Sequence, residues 1–437
     1  MSVTRQFFKY TSLNTLAMIG ISFYILADTF FISLAEGSMG LAALNLVLPV
    51  YSVIFAIGAM IGIGSATNFV ILRARGDKKS ERSFMNAVEF DIAIGLLFML
   101  AGGLFPEAIL SFFGADSDII AVGTPYTRIF MLFAPCFLLN YSFTAFVRND
   151  GAPSTAMAAT LISSLSNVAL DYVFMFPLEM GMRGAALATG LSPLISVGVN
   201  SLHFIGKSNT IPLRPAIPSF RMLVKSCALG ISSFVGEISS GVTTTVFNFV
   251  ILGIAGNTGV AAYGVIANYA LVGTAVFNGV AQGAQPLVSR FYGSGDFAYA
   301  RKLLRLSLVT GLTIAAAMYA AVLVFTAPLV GIFNSEGSAE LAGLAERGIR
   351  IYFGGFIFAA VNIVGTGFLS ATERSREAFV CALLRGCAAI VGFVCLLSAL
   401  LGMDGVWLSF PSAELLTGVL TVIFVARWGR EKRFSKA

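Results

Sequence analysis

The chain has 437 residues, of which 57% are hydrophobic and only 11% charged, with a formal net charge of +6 and a mean hydropathy of +0.86. Soluble domains carry about 25% charged residues, so this composition excludes a molecule that exposes most of its surface to water. Apolar runs recur along the whole length, and the longest hydrophilic connection, about residues 206–225, is too short to be a domain.

A bilayer core of about 30 Å takes about 20 helical residues to cross. Arg5 and Lys9 precede the first apolar run, which is too long for a cleaved leader and reads as an uncleaved first helix. Runs of spanning length fall near 13–34, 41–72, 85–104, 124–147, 154–176 and 184–205, then near 223–254, 260–289, 303–326, 348–371, 377–401 and 405–427. Pro49, Pro135, Pro193 and Pro411 lie inside these runs and predict kinks rather than ends. The expected fold is an all-α membrane protein of twelve transmembrane helices in two six-helix bundles: 1–206, a cytoplasmic linker 207–225, and 226–437.

Lysine and arginine fix the expected orientation. Most of the 28 cluster at the N-terminus, in alternate connections (Arg73 to Arg82, Arg148, Lys207 to Lys225, Arg290 to Arg305, Arg374 and Arg376) and at the C-terminus. The opposite connections hold Arg183 and Arg347. Both termini are therefore expected on the cytoplasmic side of a cell membrane. The net positive charge is this bias and does not point to nucleic acid. Five cysteines without ligand-like spacing, and a single histidine, give no sign of a structural metal.

The halves repeat. Gly40-Leu-Ala-Ala matches Gly259-Val-Ala-Ala, and Gly76-Asp77 matches Gly295-Asp296, both 219 residues on; Gly181-Met182, Gly184 and Leu187 match Gly402-Met403, Gly405 and Leu408, 221 residues on. Six spans per half make the repeats parallel, with a pseudo-twofold along the membrane normal, an architecture of transporters whose bundles rock about a central site.

Ionisable residues inside spans are costly and point to function. At 1.5 Å per residue, Asp28, Asn167, Asp171 and Thr189 all lie roughly 20–25 Å from the cytoplasmic edge, and Asn167 and Asp171 share a helix face. Four oxygen-bearing side chains on three helices suit a proton or a small cation. At the repeat offsets Phe247, Ala389 and Phe393 stand where Asp28, Asn167 and Asp171 do, so the site is expected in one half only. Glu237 in span seven is a candidate cavity carboxylate, Glu414 in span twelve a cavity residue or a partner of Arg385. Glu89 and Asp91, near the start of span three, read as solvated, and His203 as interfacial.

Asp28-Thr29-Phe30-Phe31-Ile32, Phe146-Val-Arg148-Asn-Asp150-Gly151-Ala-Pro153, Asn167-x-x-x-Asp171, and Gln282-Gly283-x-Gln285-Pro286 followed by Tyr292-Gly293 together resemble the multidrug and toxic compound extrusion family in its bacterial branch. The resemblance implies cation-coupled (H⁺ or Na⁺) export of amphipathic, cationic organic compounds by rocker-switch alternation, by a monomer in the lipid bilayer and without a cofactor. It implies that Asp28, Asn167, Asp171 and Thr189 form an amino-terminal cation site. Glu237 matches less closely, because span ten lacks the acid that commonly accompanies it. Glu237, Gln282, Gln285 and Glu414 are the candidate substrate-cavity residues. A flippase for lipid-linked saccharides is the alternative within the same broad superfamily, although pyrophosphate cargo would call for more than Arg385. A membrane enzyme or a channel is the alternative of another class; no nucleophile constellation or phosphate loop supports an enzyme.

Overall fold

The computed structural model describes residues 2–115, 117–213, 217–334 and 338–434. Arg214 and Lys436, counted above among the cytoplasmic cations, lie outside the described residues. Every regular element among the described residues is helical, as hydrocarbon demands of a backbone whose polar groups find no solvent there.

The spans are α1 (Val3–Gly37), α2 (Ala43–Ala74), α3 (Lys78–Leu104), α4 (Ser117–Leu132 and Ala134–Asn149, bent by 45°), α5 (Pro153–Met175) and α6 (Gly181–Ile205). A continuous segment Phe220–Gly293 follows. Its 74 residues would reach roughly 110 Å as one helix, and it breaks at Gly256, giving α7 (220–255) and α8 (257–293). Then come α9 (Phe297–Phe333), α10 (Ala339–Gly354 and Phe356–Ala371, bent by 42°), α11 (Ser375–Leu401) and α12 (Met403–Glu431). The twelve expected spans fall on these twelve helices.

The repeat recurs in the backbone. Gly37 ends α1 at φ 60°, ψ −148°, and Gly256 ends α7 at φ 59°, ψ −155°. This left-handed turn admits glycine without strain. The carboxylates of Asp77 and Asp296 each accept a backbone N–H of the turn that follows, from Lys79 and Tyr299. The bends of α4 and α10 fall at equivalent places, just before Pro135 in the first half and at Gly355 in the second.

The chain divides into two compact units, one of Leu16–Ile238 and one of Met1–Thr15 with Ser239–Ala437. The division runs through α1 and α7, whereas the sequence reading divides the chain in the linker. The reason lies in close packing. Phe7 is buried with Val280, Ala284 and Leu287 of α8, Asn14 donates its amide to Gly279 O at 3.1 Å, and Thr11 and Thr15 fill the space above Gly283 and Gly279. The start of α7 belongs with α2 in the same way: a Cβ on Gly230 would stand 2.0 Å from Met60 O, and one on Gly64 2.1 Å from Ser226 O.

At one end of the first unit the buried carboxylate of Asp150, from the motif after α4, ties three segments together. It accepts from Arg73 Nη1 at 2.9 Å, His203 Nε2 at 2.9 Å and Thr210 N at 2.9 Å. His203 is thus a buried partner of a carboxylate. Asp91, expected to be solvated, is fully buried and accepts from Ser142 Oγ at 2.5 Å. The expectation failed because depth along α3 was counted without knowing that α4 covers that face.

Gly230→Leu should force α2 and α7 apart and cost about 1–3 kcal/mol, as overpacking does. Its unfolding temperature in detergent should fall by several degrees. Gly198→Ala, at a position with open space around it, should leave that temperature unchanged.

Candidate functional site

The first compact unit gathers acids, amide and hydroxyls around one point. Asn167 and Asp171, one turn apart on α5, are both fully buried. α6 packs alongside, tied by Ser163 Oγ donating to Ser192 O at 2.6 Å, and brings in the buried Thr189. Asp28 enters from α1, and its carboxyl and that of Asp171 lie within reach of one shared hydrogen bond. The four residues singled out in the sequence are therefore close neighbours.

Their polar atoms are unusual in what they lack. One oxygen of Asp28, both oxygens of Asp171, both amide atoms of Asn167 and the Thr189 hydroxyl are buried without a hydrogen-bond partner among the described residues. Buried polar groups are ordinarily paired. Two bare carboxylates at this range repel strongly in a low-dielectric interior, so the arrangement suits a proton shared between them or a small cation ligated by hard oxygens.

Tyrosines that the sequence reading passed over surround the acids. Tyr24, one turn before Asp28 on α1, is close enough to feel Asp28, Asp171 and Glu237 electrostatically. Tyr126 on α4 stands beside Thr189, and its hydroxyl makes a short hydrogen bond to that of Tyr51 on α2. Tyr51 in turn stacks on Phe130 with 3.6 Å between ring centroids. Twelve tyrosines spread through an apolar chain give no local signal; only the i, i+4 relation of Tyr24 to Asp28 was there to be read.

Glu237 is compact with this unit rather than with the residues that follow it. Its carboxyl accepts from the Tyr141 hydroxyl, so it joins the same neighbourhood through Tyr141 and Tyr24. The other candidate cavity residues lie in the second unit. Gln285 is buried among Ala284, Leu304, Val364 and Phe368 near one end of α8, beside Gln282 on the same helix. Glu414 is buried and ion-paired to Arg385 at 2.6 Å.

The repeat counterparts of the acidic site carry no such chemistry. Phe247, Ala389 and Phe393 all belong to one apolar cluster with Tyr263, Tyr352 and Trp407, and Phe247 stacks on Tyr263 at 5.0 Å between centroids. One scaffold has thus been filled in two ways, with oxygen ligands in one unit and packed rings in the other.

Comparison with known proteins agrees with this fold. The multidrug export protein MepA of Staphylococcus saprophyticus is 26% identical over 407 residues, covering 92% of this chain and 89% of that protein. The Staphylococcus aureus MepA is likewise 26% identical over 405 residues. A solved outward-facing multidrug resistance MATE family transporter of the MOP superfamily superposes with a TM-score of 0.91 at 20% identity, over 99% of this chain and 96% of that one. The Vibrio cholerae MATE transporter VcmN, as a mutant, does so with a TM-score of 0.88 at 17% identity, over 98% of both chains. The model of the MatE family matches residues 15–173 and again 233–402, once in each half, and the chain belongs to that family, the multidrug and toxic compound extrusion transporters.

Proposed function

We propose that this membrane protein exports amphipathic organic cations in exchange for inward-moving H⁺ or Na⁺, with both termini in the cytoplasm and the monomer as the working unit. The observation that carries the reading is the Asp28–Asp171 carboxyl pair, flanked by Asn167 and Thr189 and left without donors. The relatives named as multidrug exporters support the direction and the cargo class.

The proposed cycle follows from charge. With a proton or cation bound, the pair is close to neutral and the unit can pack tightly around it; without one, mutual repulsion favours an arrangement that admits water or a cationic compound. Ion and drug then stabilise opposite-facing states, and alternation of the two bundles exchanges them. Coupling needs nothing more than this difference in affinity between two conformations. An ion moving down a membrane potential supplies about 2.3 kcal/mol per elementary charge per 100 mV, enough to drive a monovalent drug up a gradient of more than tenfold. Tyr24 and Tyr141 would carry the same signal to Glu237, a third acid able to sense whether the pair is charged.

Two experiments test the reading. In everted vesicles under an imposed pH or Na⁺ gradient, export of a fluorescent organic cation by Asp28→Asn should fall about tenfold or more while membrane insertion is kept; normal gradient-driven export would remove the site assignment. Asp171→Asn should supply an amide donor to the remaining carboxylate and relieve the repulsion. Its unfolding temperature should equal or exceed that of the parent and lose its dependence on Na⁺ and pH, and a marked drop would show that the pair is structural.

A further inference from the structure

The second unit holds one ion pair whose two ends are treated differently. Arg385 on α11 lies about 15 Å from the start of the helix at Ser375, and Glu414 about 16 Å from the start of α12, so both are well inside their spans. Arg385 Nε and Nη2 donate to Glu414 Oε1 at 3.0 and 2.6 Å. Asn362 Nδ2 donates to Glu414 Oε2 at 2.6 Å and to Glu414 O at 2.8 Å, and Thr421 Oγ1 fixes Asn362 through its Oδ1 at 3.0 Å. The carboxylate is thereby saturated and only 3% exposed, while the guanidinium side chain remains 22% exposed. Nη1 makes no hydrogen bond among the described residues.

The backbone is shaped around this residue. Leu384–Ala388 forms a π-helical turn inside α11, a costly irregularity that tends to mark functional positions. Thr243 Oγ1 on α7 covers the carbonyl of Gly386 at 3.4 Å, and the adjoining Ser239 hydroxyl meets Cys387 Sγ at 3.5 Å. Ser240, Thr244 and Thr245, in the same stretch of α7, are exposed, and a run of hydroxyls at that depth suits water better than lipid.

We propose that Arg385 is a recognition group for a carboxylate on the transported compound, so that the cargo includes zwitterions as well as simple cations; this rests on the exporter reading above. A guanidinium has five N–H donors in a rigid fork. Glu414 takes one edge, and the Nη1–Nη2 edge that remains presents two parallel donors, the geometry that grips a carboxylate in bidentate fashion. Charge sets the class further. Arg385 and Glu414 cancel, so a bound monoanion leaves the site at −1 overall, whereas a pyrophosphate would leave several uncompensated charges at a depth where each is costly. A compound with a cationic and a carboxylate end fits a protein with an acidic site in one unit and a free guanidinium edge in the other.

The test uses the purified full-length protein and two probes, a rhodamine methyl ester and the same rhodamine with its free carboxylate, with Kd read by fluorescence anisotropy. The double variant Arg385→Gln with Glu414→Gln removes the guanidinium without stranding a buried carboxylate. Its Kd for the free acid should rise about tenfold, about 1.4 kcal/mol, with that for the ester unchanged. Arg385→Lys keeps the charge and its partner but loses the paired edge, and should show part of the same selective shift if the double variant does not fold. Equal weakening for both probes, or none for either, in whichever variant folds overturns the proposal. Export of both probes from vesicles is read separately: loss of transport with the acid-selective shift in Kd intact counts against the exporter reading alone.

Discussion

A charge placed at mid-bilayer must be cancelled close by, and the two units of this chain meet that requirement in opposite ways. Two unit charges 4 Å apart interact by about 4 kcal/mol even at an effective dielectric of 20, so neither unit can leave its acids bare. In the second unit a permanent cation, Arg385, is held against Glu414, and the cancellation is built into the fold. In the first unit two carboxyls face each other with no protein cation printed against them, and in the proposed cycle the cancelling charge arrives from solution and leaves again. Glu237, bonded to Tyr141, extends that second solution into α7.

A duplicated scaffold makes this contrast possible. The glycine turns at 37 and 256 have the same dihedrals within a few degrees, and the caps at Asp77 and Asp296 do the same work. Backbone constraints of this kind belong to the helix ends, where the lipid requirement is strict. The interior of each bundle is held only to close packing, and there the repeats have diverged until Phe247, Ala389 and Phe393 pack into a ring-rich core at the positions of three ligating residues.

That division also explains what could be read in the sequence. Span positions, their number, the repeat and the cluster of Asp28, Asn167, Asp171 and Thr189 were legible because each follows from one-dimensional rules: span length, glycine turns, and depth at a fixed rise per residue. What needed the folded chain were relations across helices. Depth counting could not see that Ser142 of α4 lies over Asp91, and it could not choose between a paired and a free Glu414. Nor could it assign Glu237 to a unit, since that depends on Gly230 and Gly64 letting α7 approach α2. The tyrosines Tyr51 and Tyr126 are 75 residues apart in the chain and carry no periodic signal at all.

The placement of α1 and α7 adds a mechanical consequence. Each crosses from one compact unit to the other, α1 after Thr15 and α7 after Ile238. Asp28 lies on α1 beyond its crossing point, and Glu237 lies on α7 immediately before its own. A change in the charge of the carboxyl pair acts on side chains of the two helices whose opposite ends are packed in the other unit, Phe7 among them. Helices are stiff over such lengths, so repulsion or neutralisation at Asp28 is transmitted along α1 as displacement rather than absorbed locally. The symmetric scaffold supplies two such helices, and the one-sided chemistry ensures that both answer to the same acids.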